Sequence, residues 1–494
     1  MSHQTKSPRA RLAHLGSVGL VALSLSGCAT FSPDGGMSLA VSVADRDLGA
    51  KVTKIVDDAD AVTTQAQVGE LLRRQLDPRT AVQVALLKNR GLQASFNELG
   101  VSEAQYVKAT LPPAPRIALA RIVTSLELEI ERQILVGLFE LATTPARARV
   151  AEQRFRAAQF RTAEAVLRTG LEARRQYYRT VAANQQVNFL QQSLGTAAIA
   201  SQMATQLGET GALNKLQQAR EHAFYAEIGA QLARARIQQR VERERLIRVL
   251  GLWGPNVNFK LPGSLPPLPK RILPATDLER QALARRVDLM ALRHDLSAVA
   301  AQFNLTRSTR FVTDIELAAI SNFERTISSS RTEGGGVEID REKVTRRGLE
   351  IEFEIPIYDF GESNVRLARE TYMAAANRLA ERAVNARSEV RETYQRMRGH
   401  YDLARYYQSR VLPLRKTIQD EALLHYSGML ADVTQLISDA RARIMSNIDA
   451  INARRDFWIA ATDSQAALVG GGGAGGGEAG TGAVAPQAGE AGPH

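Results

Sequence analysis

Cysteine occurs once in this chain, so no internal disulfide can form and no thiolate-rich metal site can be built. Tryptophan occurs twice and aromatics together make up 5%. That composition argues against a conventional compact enzyme and suits long helices rich in Ala, Arg, Leu and Gln. The seven histidines are scattered, and His294-Asp295, His400-Tyr401 and His425-Tyr426 fall in helical stretches without metal-ligand spacing. The eight methionines form no cluster, and Gly334-Gly335-Gly336 lacks the strand–turn–helix setting and the lysine of a phosphate loop. No catalytic set, metal site or cofactor motif is predicted. Past the N-terminal leader no stretch approaches 18 uninterrupted apolar residues, so no transmembrane helix is expected. Any membrane-spanning part must then be a closed β-barrel, which also satisfies its backbone in lipid.

The charge balance is +11, from 63 basic and 52 acidic residues. Arginine is spread along helical stretches among Glu and Ala, as in Glu152-Gln153-Arg154-Phe155-Arg156, which reads as solvated helix faces. Nothing concentrates it on a nucleic-acid-binding module. The position of the single cysteine is informative. Lys6, Arg9 and Arg11 precede the apolar run Leu15 to Leu25, and Leu25-Ser26-Gly27-Cys28 ends it in the pattern of a lipoprotein signal. Residues 1–27 are therefore expected to be a signal peptide and Cys28 the lipidated residue, followed by an anchor and leader over 28–77, polar and mobile in its first part (29–45).

Asp77-Pro78 offers a cap and a first-turn proline, and helical spacing runs from Thr80 to about Thr110. Ser125-Leu126-Glu127-Leu128-Glu129-Ile130-Glu131 then alternates apolar and acidic residues, the period of a two-faced strand. Thr144-Pro145 is expected to open a helix reaching about Leu207. Gly208-Glu209-Thr210-Gly211 would turn it into a second helix ending near Leu250.

After a Pro/Gly-rich linker, 254–274, the plan repeats. Ala85-Leu86 recurs as Ala282-Leu283, an offset of 197, and Leu138-Phe139-Glu140-Leu141 as Ile357-Tyr358-Asp359-Phe360, an offset of 219. The polar stretch Ser328 to Lys343 accounts for most of the difference and reads as a surface loop. Strands are predicted at Arg310–Ile320 and Gly348–Ile357, and long helices at Glu362 to about Leu424 and Leu430 to Leu468. The repeats are thus 78–253 and 275–469, each a helix, a β-hairpin and a long helical hairpin. A Gly/Ala-rich tail, 470–494, is expected to be disordered. The fold class is mainly α with a small β part.

The segment Gly348-Leu349-Glu350-Ile351-Glu352-Phe353-Glu354-Ile355-Pro356-Ile357-Tyr358-Asp359-Phe360-Gly361 resembles the strand-to-helix junction of TolC-type outer-membrane channels. Tyr426-Ser427-Gly428 is similar to that family's Tyr-x-x-Gly turn, one residue shorter, and the Ala-Leu opening each repeat also matches. The likeness covers about residues 78–470. It implies a homotrimer with a twelve-stranded barrel in the outer membrane, four strands per chain, continued by an α-barrel across the periplasm. Also implied are a periplasmic adaptor and an inner-membrane transporter as partners, with the channel a passive exit duct for efflux or secretion. Ala29, where lipoproteins retained in the inner membrane commonly carry Asp, points to the outer membrane.

The helical tips around Gly208, Gly211, Leu213, Gly428 and Asp432 would meet the adaptor, with Asp432, near Asp439, the candidate for the periplasmic constriction. Facing charge toward lipid is costly, so Glu127, Glu129, Glu131, Glu350, Glu352 and Glu354, joined by Asp314 and Glu316, are predicted to line the bore and favour cations. Two other readings compete. A periplasmic adaptor normally carries one helical hairpin in small β-domains, and a structural coiled-coil lipoprotein would lack the alternating strands.

Overall fold

The computed structural model describes residues 31–272, 277–331, 337–427 and 433–471. Helix α1 (Ser38–Val43) continues into a π-turn, Ala44–Leu48. Met37, Ala40, Val43, Ala44 and Leu48 are buried against Val82, Leu86 and Leu171. Apolar residues at helical spacing here find a core, so the expected mobile leader is packed structure. Gly170 makes room for it, since a Cβ there would lie 2.6 Å from Leu48 Cδ1.

Helix α2 (Asp58–Arg73) is capped by Asp57, and α3 (Pro78–Lys88) by Asp77, whose carboxylate accepts the Thr80 N–H at 2.7 Å. The expected single helix from Thr80 to Thr110 is broken at Asn89, after which α4 (Arg90–Thr110) resumes. In the second repeat α7 (Leu278–Arg285) and α8 (Val287–Ser308) break at Arg286. Asn89 and Arg286 stand 197 residues apart, the offset of the Ala-Leu pairs, and share one extended conformation, φ −65° with ψ 114° and 121°. The break is duplicated with the sequence.

The sheet is β1 (Arg116–Val123), β2 (Glu127–Gly137), β3 (Asp314–Arg331) and β4 (Val337–Glu354), antiparallel in the order β1-β2-β3-β4. The polar stretch from Ser328 is strand up to Arg331 and again from Val337 to Lys343. It lengthens the second hairpin, so the surface-loop expectation fails for those residues. Polarity misled because both faces are polar there, which conceals the period of two.

Helix α5 (Leu138–Glu209) is 72 residues long, roughly 110 Å at 1.5 Å per residue. It begins ahead of the predicted Thr144-Pro145 start. Pro145 is accommodated inside the helix, where the hydroxyls of Thr143 and Thr144 bond the carbonyls of Phe139 and Glu140 at 2.8 and 2.7 Å. Its antiparallel partner α6 (Lys215–Leu250) starts with a capping box of Asn214 and Gln217. The second hairpin comprises α9 (Glu362–Tyr406), a π-turn at Tyr407–Val411, α10 (Leu412–Ser427) and α11 (Val433–Val469). The wide turn replaces the uninterrupted helix expected to Leu424. It directly precedes Leu412-Pro413, and proline in regular α-helix would clash with the carbonyl four residues back.

The core runs along the helices. Leu190, Phe224, Ile228 and Ile444 join α5, α6 and α11, while Tyr177, Leu246, Leu250 and Leu252 join the first hairpin to α3. The linker is strapped down: Phe259 and Leu265 are buried, and the Trp458 indole N–H donates to the Pro266 carbonyl at 3.2 Å. Each repeat ends on a left-handed glycine, Gly251 (φ 68°) and Gly470 (φ 87°). Gly470 and Gly471 are buried, so the tail begins after them; the residues expected to be disordered from 472 on lie outside the described ones.

Candidate functional site

In an antiparallel pair, directly opposed residues share a face and neighbours along a strand alternate. Glu129 is opposite Glu324, Glu316 opposite Glu352, Asp314 opposite Glu354, and Ala318 bridges Leu135 to Glu350. All eight predicted carboxylates, Glu127, Glu129, Glu131, Asp314, Glu316, Glu350, Glu352 and Glu354, therefore project from one face. Glu324, Asp340 and Glu342 extend the same face and were missed. Asp340 and Glu342 lie in the stretch read as a loop, where continuing the period of two backward from Glu350 reaches them, and Glu324 lies past the strand expected to end at Ile320.

Carboxylates opposed across strands repel, which costs stability unless water screens them. These side chains are half-buried or exposed, so the repulsion is hydrated and the face carries a standing negative field. Two arginines moderate it: Arg116 pairs with Glu316, and Arg346 lies 3.3 Å from Glu324. The opposite face near the helices is apolar and uncovered, with Leu119, Ile117 and Leu349 exposed by 73%, 68% and 77%.

At the base of the acidic face a cavity of about 1100 Å³ opens between sheet and helices, lined by Arg116, Asp314, Glu316 and Glu354 together with Arg147 and Arg310. The junction motif builds its wall. The Asp359 carboxylate accepts the Gly361 N–H at 2.9 Å and the Ser363 N–H at 3.1 Å, capping α9. Gly361 has φ 73° and sits against the Arg310 carbonyl so closely that a Cβ would overlap it. Aspartate and glycine of the motif are thus needed for turn geometry. Aspartate caps the helix and glycine takes the left-handed, crowded position.

At the far end of the first hairpin Gly208 is half-buried beneath the Gln218 side chain and Gly211 is exposed, with φ 77°. Leu213 points inward, buried with Ala204 and Phe224, and its N–H donates to the Leu207 carbonyl at 3.1 Å. The surface-contact expectation therefore fails for Leu213: the turn folds its side chain into the hairpin core. Cys28, Gly428 and Asp432 lie outside the described residues. Asp439 is described and accepts the Gln435 amide at 3.1 Å. His294 packs on Phe160 and contacts Gln153 at 2.9 Å. No helix among the described residues is long and apolar enough to cross a membrane.

Residues 278–421, most of the second repeat, match the family described as outer membrane efflux protein. That stretch is similar to this family, and the fold of the chain is similar to that of solved outer-membrane channels. Its fold is that of CusC, with a TM-score of 0.66 at 17% identity over 80% of this chain and 92% of that one. CmeC of Campylobacter jejuni superposes with a TM-score of 0.65 at 16% identity, covering 86% of this chain and 92% of its own. VceC of Vibrio cholerae gives 0.63 at 14% identity over 82% and 97%. No curated protein sequence matches the chain. The family match falls on the second repeat. The solved structures extend the likeness to the first.

Proposed function

We propose that this chain is the outer-membrane duct of a tripartite export system, three copies of which close one pore. The carrying observation is the open sheet, acidic on one face, apolar on the other near the helices, and joined directly to a helix of roughly 110 Å. A four-stranded sheet with edges β1 and β4 unpaired cannot stand in lipid. Pairing β4 of one copy with β1 of the next closes the barrel, turns the apolar face to lipid and puts the carboxylates around water. Exposed Leu367, Val384, Leu403 and Tyr406 on α9, and Leu414 on α10, supply apolar contacts between copies along the helices.

Passage through the duct is passive. An inner-membrane transporter drives it, and a periplasmic adaptor docks at the tips around Gly208 and Gly211. Cys28 supplies a lipid anchor in the same membrane. The carboxylate rings favour cations. In lipid bilayers the trimer should conduct with cation preference. Changing Glu127, Glu129, Glu131, Glu350, Glu352 and Glu354 to Gln should leave conductance and abolish the preference. Unchanged selectivity would remove the carboxylates from the bore. A water-soluble monomer once the anchor is removed would end the channel reading.

A further inference from the structure

The face opposite the carboxylates has a second character farther from the helices. From the helical end it rises through apolar rungs: Ile315 with Phe353, Val136 with Leu317 and Ile351, then Ile117, Ile134, Ala319 and Leu349. The next rung holds Arg132 and Arg347 on either side of Ser321. Above it stand Arg121 with Ile130 and Phe323, then Arg325 and Lys343 beside Leu128, then Arg341 beside Ile327. Rungs on one face are ~6.8 Å apart, so the cations occupy a band roughly 20 Å along the strands.

These six, Arg121, Arg132, Arg325, Arg341, Lys343 and Arg347, are all exposed, and none has an ion-pair partner among the described residues. No described side chain on this face is acidic, although the other face of the same strands carries Glu or Asp at rung after rung. A second copy brings the same face around the barrel, so the strands of a homo-oligomer supply no carboxylate at this level. Cations aimed at lipid are tolerated near the headgroups and costly at the midplane, which sets the band at the distal interface. There the interleaved Ile130, Phe323, Leu128 and Ile327 suit acyl chains, while arginine forks suit phosphate oxygens.

We propose that this band binds phosphate-bearing lipid headgroups of the distal leaflet, several around each trimer. The proposal rests on the barrel reading above. Within it, the two faces divide the work: the acidic face repels anions from the bore, and the basic face collects anionic lipid outside. A soluble anion would not use the apolar side chains between the cations, whereas a phosphorylated amphiphile uses both.

The test is native mass spectrometry of the full-length protein in neutral detergent, titrated with bis-phosphorylated lipid A or its dephosphorylated form. Phosphorylated lipid should remain bound as discrete adducts at least tenfold more tightly than the dephosphorylated form. Inorganic phosphate at millimolar concentration should not displace it. Changing Arg132, Arg325, Arg341 and Arg347 together to Gln should weaken binding at least tenfold while the trimer mass and bilayer conductance stay unchanged. Equal binding of the two lipids by the unaltered protein overturns the proposal without reference to any variant. Displacement by inorganic phosphate overturns the lipid assignment. An unaltered protein that neither trimerises nor conducts overturns the barrel reading, whereas a conducting trimer with phosphate-independent binding overturns the lipid proposal alone.

Discussion

The two helix breaks, one in each repeat, have the same backbone and opposite chemistry. At Asn89 the side-chain oxygen accepts the Leu92 N–H at 3.0 Å and the amide donates to the Val249 carbonyl at 3.0 Å. A neutral residue thus caps its own helix and ties it to the end of α6. At the equivalent position Arg286 is fully buried. It donates to Asp288 at 2.8 Å, to Glu389 at 2.8 Å and to the Ala467 carbonyl at 3.0 Å. Arg382 completes the group with bonds of 2.7 Å to both carboxylates. Both repeats have the kink, but the buried charge of Arg286 takes its partners from α8, α9 and α11 together. The second break therefore couples three helices where the first couples two.

That contrast predicts unequal losses. Arg286→Met leaves Asp288 buried without its main partner and should cost about 3–5 kcal/mol, the usual penalty for breaking a buried ion pair from one side. Asn89→Ala removes a cap and should cost about 1 kcal/mol. Thermal melting of the detergent-solubilised protein compares them, and equal losses would mean the charged network holds no more than the neutral cap. The terminal glycines sharpen the comparison at a smaller scale. A Cβ at Gly251 would lie 2.6 Å from the Lys88 carbonyl oxygen, and one at Gly470 2.6 Å from the Asp288 carboxylate. Both alanine variants incur the left-handed penalty of roughly 1–2 kcal/mol. Gly251→Ala should melt lower, because backbone yields less readily than a side chain.

The duplication, the long hairpins and the acidic alternation were legible because each has a strong period. Glu350-Ile351-Glu352-Phe353-Glu354 can only be two-faced as a strand, and the register then aligned it with Glu127 to Glu131 without further information. The breaks were not legible. Neither Asn89 nor Arg286 interrupts the apolar spacing, and although the offset of 197 is visible in the Ala-Leu pairs, only the backbone shows that it also relates two breaks. Pro413 did announce the π-turn, and the reading of one helix to Leu424 passed over it. The length of the second β-hairpin stayed hidden for another reason: a strand leaving the apolar layer loses the contrast that marks it. The basic band was hidden by the same loss, since Arg341, Lys343 and Arg347 acquire a face only through their partners Ile327, Arg325 and Ser321.

The smallest predicted effect concerns protons at the second break. Burial raises the Glu164 carboxyl above its ordinary range, helped by the neighbouring Asp288 charge and opposed by Arg168, Arg382 and Arg286. Burial also works to raise Asp288, but the bonds and charge of Arg286, then Arg382, hold it below the usual carboxylate value. The two groups act on stability in opposite directions. Ionising Glu164 is harder in the folded chain than in the unfolded one. Its penalty is therefore absent below the unfolded value, grows as pH rises, and is complete above the folded one. The Asp288 contribution is present above its unfolded value and lost as pH falls through the folded one. Glu164→Gln should raise Tm modestly at neutral pH and leave it unchanged near pH 4, where both forms are uncharged at this position. Melts of the two proteins across pH 4–8 should converge on the acid side; parallel curves would place Glu164 in water and leave Asp288 as the group through which acid weakens this break.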